Sequence, residues 1–390
     1  MARKIFGFGS LVLAIFAFAA MASAEDAKIG SMTLDELKKA LGMSVYLQGG
    51  YTYNGNAGTV AASGDTEQND LRVFDHKANS FVLDIAQIVF AKDAAPGNTG
   101  YKLKFSAGET AKWIHSRGMS GVDPNLAPPA NAQVGPGTDS FDVTEAYVSY
   151  NAALGKGLRF DLGKMVTYHG AEVIEAIDNV NYSRSYLFNY AIPFTHTGLK
   201  ASYAFSDALN ASVHVVNGWD NSTDNNKGKT YGLSVGFTPA EVFSTIINLM
   251  SGPEQDNNSR DKRNLVDIVA TIKPIKKLSL ILNGDYGREQ NAAAGNTEPA
   301  AWSGISCIAK YEIDDKYSVA IRAESFRDPE MVRTSTVRHV KEVTFTPEVK
   351  LAGGLILRPE YRHDWSDDKV FDNSTKKSQD TIALGAMYRW

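Results

Sequence analysis

The chain has 390 residues, 43% of them hydrophobic and 10% aromatic, with 40 basic and 44 acidic side chains. That balance disfavours nucleic acid as a partner, and a single cysteine, Cys307, excludes an intramolecular disulfide and a CxxCH haem attachment. A soluble chain of this length would ordinarily split into two or more domains, yet no linker or composition shift divides it.

At the N-terminus, Arg3 and Lys4 precede an apolar run from Ile5 to Ala20, interrupted by Ser10, and Ala22, Ser23 and Ala24 supply small residues before Glu25. This pattern predicts a secretory signal peptide over residues 1–24, too short in its apolar part to serve as a spanning helix. Removing Arg3 and Lys4 leaves 38 basic against 44 acidic residues, a formal charge of −6. The segment 25–42 then carries Thr33, Leu34, Asp35 and Glu36 at capping-box spacing, followed by Leu37, Leu41 and a stop at Gly42. It is expected to form a short periplasmic helix that caps the first strand, a partner-binding helix being the alternative.

From residue 43 to 390 no apolar run is long enough for a membrane helix, and the dominant signal is period-two alternation. It is clear at Val45 to Tyr53, Tyr101 to Ala107, Leu158 to Gly163, Leu199 to Phe205, Leu209 to Val215, Tyr231 to Phe237, Leu278 to Tyr286, Tyr317 to Ser325 and Leu355 to Asp364. Parity is ambiguous at Phe81 to Phe90, Phe141 to Tyr150, Val242 to Met250, Leu265 to Ile272, Ile305 to Ile313 and Val343 to Val349. With a final strand these make about sixteen, and their connections alternate long and short. The fold expected is all-β: a transmembrane, antiparallel up-and-down β-barrel of about sixteen strands, wide enough for an aqueous interior. Aromatic residues near strand ends, such as Tyr51 and Tyr53 or Tyr203 and Phe205, suit interfacial girdles.

On the expected inner faces, Lys102, Lys104, Arg159, Asp161, Lys200, Arg322 and Glu324 are charged, and Arg358, Glu360, Arg362 and Asp364 line one side of one strand. They read either as self-neutralising wall ladders or as an electrostatic filter for ions. The third long loop, about 167 to 197, is too apolar to lie wholly in water, with Val173, Ile174, Ile177, Tyr186, Leu187 and Phe188. It is expected to fold inwards and narrow the pore, with Glu172, Glu175 and Asp178 facing basic wall residues and Arg184 close by; an extracellular plug is the alternative. An acidic constriction of this kind favours cations.

Enzymatic readings lack a constellation. The seven histidines are scattered, His363 and Asp364 as strand neighbours point to opposite faces, and His169 near Glu172 and Glu175 is the one arrangement that resembles a metal site. No catalytic residue, cofactor or metal is expected.

The last strand alternates Ile382, Leu384, Ala386, Tyr388 and Trp390 against Thr381, Ala383, Gly385, Met387 and Arg389. It resembles the closing strand of bacterial outer-membrane barrels, in which a C-terminal aromatic is read by the barrel-assembly machinery; the resemblance assigns that signal to Tyr388 and Trp390. The stretch from Gly163 to Tyr203 (GKMVTYHGAEVIEAIDNVNYSRSYLFNYAIPFTHTGLKASY), with RAESFRDP and LILRPEYRHDWS, is similar to the β-barrel porin family described as OmpL-like. Its most specific elements are Gly170, Glu172, Asn181, Tyr182, Ser183, Arg184, Pro193, His196, Gly198 and the run from Arg358 to Asp364. The resemblance implies a multi-pass outer-membrane channel of a Gram-negative bacterium. Passive diffusion of small hydrophilic solutes or ions is the function expected. The alternative is a structural or adhesive barrel with a plugged lumen, whose long loops, Gly108 to Thr138 above all, bind an extracellular partner. Partners expected are membrane lipid, the solutes, the assembly machinery and a second copy of the chain in a homo-oligomer.

Overall fold

The computed structural model describes residues 33–57, 68–119, 140–293, 295 and 297–390. The signal-peptide reading over 1–24, the segment 25–32 and most of the Gly108 to Thr138 loop lie outside those residues. The helix expected before the first strand is α1, Leu34–Leu41. Thr33 Oγ1 accepts from Glu36 N at 3.3 Å while Glu36 Oε2 accepts from Thr33 N at 2.7 Å, and Gly42 ends the helix at φ +56°.

Sixteen strands follow: β1 Met43–Asn54, β2 Phe81–Lys92, β3 Thr99–Ala107, β4 Phe141–Ala152, β5 Leu158–Val166, β6 Thr195–Ala204, β7 Leu209–Val216, β8 Thr230–Ala240, β9 Phe243–Pro253, β10 Lys262–Ile275, β11 Leu278–Glu289, β12 Ala300–Glu312, β13 Tyr317–Arg327, β14 His339–Lys350, β15 Leu355–Ser366 and β16 Ser378–Arg389. Each pairs antiparallel with its sequence neighbours, and β16 returns to β1 from Tyr46↔Arg389 to Asn54↔Thr381. Closure leaves no strand edge, so every ladder donor and acceptor can be met without water, as hydrocarbon demands. Trp390 completes the seam, exchanging backbone bonds with Val45 at 2.8 and 2.9 Å. No described helix is long and apolar enough to cross a membrane; the strands are the spanning elements.

Alternation sorts the side chains as the sequence patterns require. Leu47, Val148, Leu162, Val213, Ile305 and Leu384 point outwards and are exposed, as is Cys307. Gln48, Lys104, Asp161, Asn283, Glu324 and Arg362 point inwards and are buried. Aromatic pairs lie at the strand ends on the outer surface, Tyr51 with Phe81 at 4.8 Å and Tyr203 with Phe205 at 5.1 Å between ring centres.

Two bulges explain why parity was ambiguous in β2 and β4. The register shifts between Gln48 and Gly49 against β2, so both Asp84 and Ile85 turn inwards. A second shift between Lys104 and Phe105 turns both Thr144 and Glu145 inwards. One extra residue in each strand breaks a strict period of two without breaking the face.

The barrel is filled on one side by its own loops. Phe74 of the first long loop packs on Phe188 and Phe194 of the third at 5.5 and 5.3 Å, and Ile114, Trp219, Trp302 and Phe371 join the same apolar cluster. At the opposite end the connections are tight, with only Glu241 and Val242 between β8 and β9 and only Lys276 and Lys277 between β10 and β11.

Candidate functional site: the inward loop and the charged wall

The connection between β5 and β6, residues 167–194, folds into the barrel, with short turns at Ala176–Asp178 and Leu187–Ala191. Every residue from Asn181 to Asn189 is buried. An irregular segment cannot satisfy all its own peptide groups, and where it is buried solvent does not reach them. The wall does it instead. Asp267 of β10 accepts from Gly170 N at 2.9 Å and Asn283 of β11 from Ala171 N at 3.1 Å. Glu360 of β15 accepts from Tyr182 N and Ser183 N at 2.8 and 3.0 Å, and Glu324 of β13 from Tyr186 N and Leu187 N at 2.6 and 2.5 Å.

Loop carbonyls are met by the wall arginines. Arg322 donates to Ser183 O at 2.9 Å, Arg362 to Arg184 O at 2.6 Å, and Arg358 to Asn181 O at 3.2 Å and to Ala176 O. Bonds of this kind, with one ionised partner, each contribute about 1.5–3 kcal/mol. The charges are also balanced among themselves. Arg322 bridges Glu342 at 2.6 Å and Glu172 at 2.8 Å, and Arg362 bridges Asp364 at 2.8 Å.

The three acidic loop residues each meet a wall cation. Glu172 takes Arg322, Glu175 takes Lys104 at 2.9 Å, and Asp178 takes Arg389 of β16 at 2.8 Å. Burial alone would raise the Glu175 carboxyl, but Lys104 and a hydrogen bond from Gln87 hold it below the ordinary range. Arg184 does something else. It donates to the carbonyls of Val173, Ile174 and Tyr182 and lies over the Phe74 ring at 4.9 Å, so it ties the loop to itself rather than presenting a charge to the lumen.

Tyr182 of the loop packs directly on the wall. Its ring lies over Gly50 and Gly385, which face each other in the β1–β16 register, and its hydroxyl donates to Asp84 at 2.8 Å. A Cβ at either glycine would occupy the space of the ring.

All eleven charged wall residues expected from the sequence point inwards, but they fall into two sets. Lys104, Arg322, Glu324, Arg358, Glu360, Arg362 and Asp364 are buried and engaged with the loop or one another, whereas Lys102, Arg159 and Lys200 remain partly exposed, flanking Asp161 and Glu145. His169 does not join Glu172 and Glu175; those carboxylates turn to Arg322 and Lys104, and His169 lies 4.0 Å from Asp267. His363 faces outwards, paired with Asp380 at 2.8 Å. Sequence reading missed Glu342, Glu348, Asp267 and Arg389. The signal for the first two was present, since Glu342, Thr344, Thr346 and Glu348 alternate with Val343, Phe345, Pro347 and Val349.

No curated protein matches the sequence. Solved structures do match in fold. The outer membrane channel DcaP of Acinetobacter baumannii aligns over 89% of this chain and 96% of its own at 10% identity, with a TM-score of 0.59. The anion-selective porin from Comamonas acidovorans aligns over 89% and 98% at 10% identity, TM-score 0.58. OmpT of Vibrio cholerae in its trimer form aligns over 89% and 98% at 14% identity, TM-score 0.55. The model of the family described as "Putative beta-barrel porin-2, OmpL-like" matches residues 40–390. With a closed barrel, an apolar outside and that match across nearly the whole length, the chain belongs to the OmpL-like β-barrel porin family of the Gram-negative outer membrane.

Proposed function

We propose that this porin gives small hydrophilic solutes and ions a passive path across the outer membrane, with its third long loop setting the size limit. The observation that carries this is the division of the lumen. Loop 167–194 is fastened to wall residues on β3, β10, β11, β13, β15 and β16, while Lys102, Arg159 and Lys200 on β3, β5 and β6 remain partly exposed. A wall of ionised side chains held at fixed positions keeps the path wet and replaces part of a solute's hydration. No chemical step is required of any residue, and the protein acts without catalysis, cofactor or metal.

The expected measurement is stepwise conductance of the purified barrel in planar bilayers, enlarged when residues 171–191 are replaced by a short Gly/Ser connection. Absence of steps in the native protein and the loop-replaced protein alike defeats the reading. The apolar cluster of Phe74, Phe188, Phe194 and Phe371 favours a second reading, a barrel closed by its loops that serves as an adhesive surface. That reading requires a silent native barrel that opens only when the loop is removed. Tyr388 and Trp390 stand at the end of the strand that seals the barrel and are the residues offered to the assembly machinery; a homo-oligomer with lipid at its periphery completes the proposed setting.

A further inference from the structure

We infer that the water-facing wall beneath the loop is a site for small anions, formed by Lys102 on β3, Arg159 on β5 and Lys200 on β6, and that it gives the channel an anion preference. The inference rests on the diffusion reading above and goes beyond it by naming the solute class.

The reason is a difference in exposure between the two signs of charge. Lys102 and Lys104 clasp Glu145 Oε2, each at 2.8 Å, and Arg159 and Lys200 clasp Asp161 at 2.8 and 3.4 Å. The side chains of Lys102, Arg159 and Lys200 are 29%, 28% and 33% exposed, against 2% for Glu145 and 4% for Asp161. The carboxylates are turned into the wall, and Asp161 Oδ1 also accepts from Ser149 at 2.6 Å. The ammonium groups keep donors free for solvent. At Lys102 and Lys200 a passing solute therefore meets ammonium groups at the surface with Glu145 and Asp161 behind them, while Arg159 also faces the exposed Asp93 at 3.5 Å.

Across the lumen the same construction recurs. Glu348 is bound by Arg358 at 2.7 Å and approached by Lys310 at 4.0 Å, and the Lys310 side chain is the more exposed of that pair. In the two clusters Lys102, Lys104, Arg159, Lys200, Lys310, Lys350 and Arg358 stand against Glu145, Asp161, Asp93, Glu312, Glu348 and the loop's Glu175, seven cations to six carboxylates. At Arg159 and Lys310 the exposed Asp93 and Glu312 reverse the surface order and the exposed Asp178–Arg389 pair is balanced, so the order in which the cation is outermost belongs to Lys102 and Lys200. With a Debye length of about 8 Å at physiological ionic strength, fixed charges on a narrow wall bias the ions beside them. The acidic loop does not oppose this, because Glu172 and Glu175 are consumed by Arg322 and Lys104.

The test is the reversal potential of the full barrel in a planar bilayer under a tenfold KCl gradient, for the native protein and for Lys102→Gln/Lys200→Gln. That pair of changes leaves Glu145 with Lys104 and Asp161 with Arg159, so the barrel keeps its buried pairs; heat-modifiable migration on gels checks that it folds. A chloride-favouring potential in the native protein that falls by at least half in the variant supports the site. A potassium-favouring potential, or one that the variant leaves unchanged, overturns it while leaving the diffusion reading intact. If the native barrel is silent the diffusion reading falls instead, and calorimetry with succinate and with phosphate on the detergent-solubilised protein at low salt then decides. Binding at least fivefold weaker in the variant keeps the site, with the two probes separating carboxylate from phosphate, and no difference removes it.

Discussion

Two sets of wall residues use the same residue types to opposite ends. Around β13, β14 and β15, Arg322, Glu324, Glu342, Glu360 and Arg362 are buried and bonded to the loop or to each other. On β3 and β6, Lys102 and Lys200 reach past Glu145 and Asp161 and are partly exposed. A charge ladder therefore serves as fastening where a second element covers it and as a solvent-facing surface where none does. Position along the alternation decides only that a side chain points inwards; what it meets there decides its work.

The sharpest contrast comes from removing a fastening charge. Arg322→Met leaves Glu342 and Glu172 buried without their shared partner, and the expected loss is about 3–5 kcal/mol, the cost of breaking a buried pair from one side. Urea unfolding in detergent should register it, together with larger and noisier conductance as the loop detaches. A native-like midpoint would mean that Arg322 does not hold the loop. Next in size, Gly385→Ala places a methyl group against the Tyr182 ring and is expected to cost about 1–3 kcal/mol by overpacking, whereas Tyr182→Ala in the same background should recover part of it.

A third probe concerns a carboxylate fastened chiefly by neutral donors. Glu254, just beyond β9, accepts from Trp219 N at 2.7 Å and Thr230 Oγ1 at 2.6 Å. Burial pushes it up to about 7, against the pull of Arg263. Because the folded-state value lies above the ordinary 4.5, its contribution to stability is complete below pH 4.5 and is lost as the pH rises through about 7. Heat-induced unfolding should thus set in at lower temperature at pH 8 than at pH 5, and Glu254→Gln should reduce that dependence; an unchanged pH profile would dissociate Glu254 from it. Smallest in stability is Lys102→Gln/Lys200→Gln, expected within about 1 kcal/mol because both ammonium groups are partly solvated, even though this variant is the one expected to move ion preference. A large destabilisation would place these lysines among the fastenings.

Much of the fold was legible without coordinates. Alternation at Tyr101 to Ala107, Leu158 to Gly163 and Leu355 to Asp364 assigned faces that the barrel keeps. The period of two follows from backbone geometry alone, so it needs no partner to be read. It failed where a bulge inserted a residue, as at Asp84 and Glu145, because a bulge is a relation between two strands rather than a property of one. The apolar character of Ile174, Tyr186, Leu187 and Phe188 signalled a loop that leaves water, and these four are buried, whereas Val173, expected to pack with them, stays exposed. The loop's approach to Gly50 and Gly385 was not legible, because those two positions are 335 residues apart and become neighbours only on closure.

By itself, the sequence determined an amphipathic strand repeat, the long and short connections between strands, a capped helix before β1, and a charged inner face. Tertiary structure alone decided which charges face water. Arg159 and Arg322 are equivalent in type, and both occupy inward positions, yet one is partly solvated and the other wholly buried. Exposure depends on what the chain lays over a residue from far away in sequence, and loop 167–194 covers Arg322 while Lys102, Arg159 and Lys200 stay partly exposed.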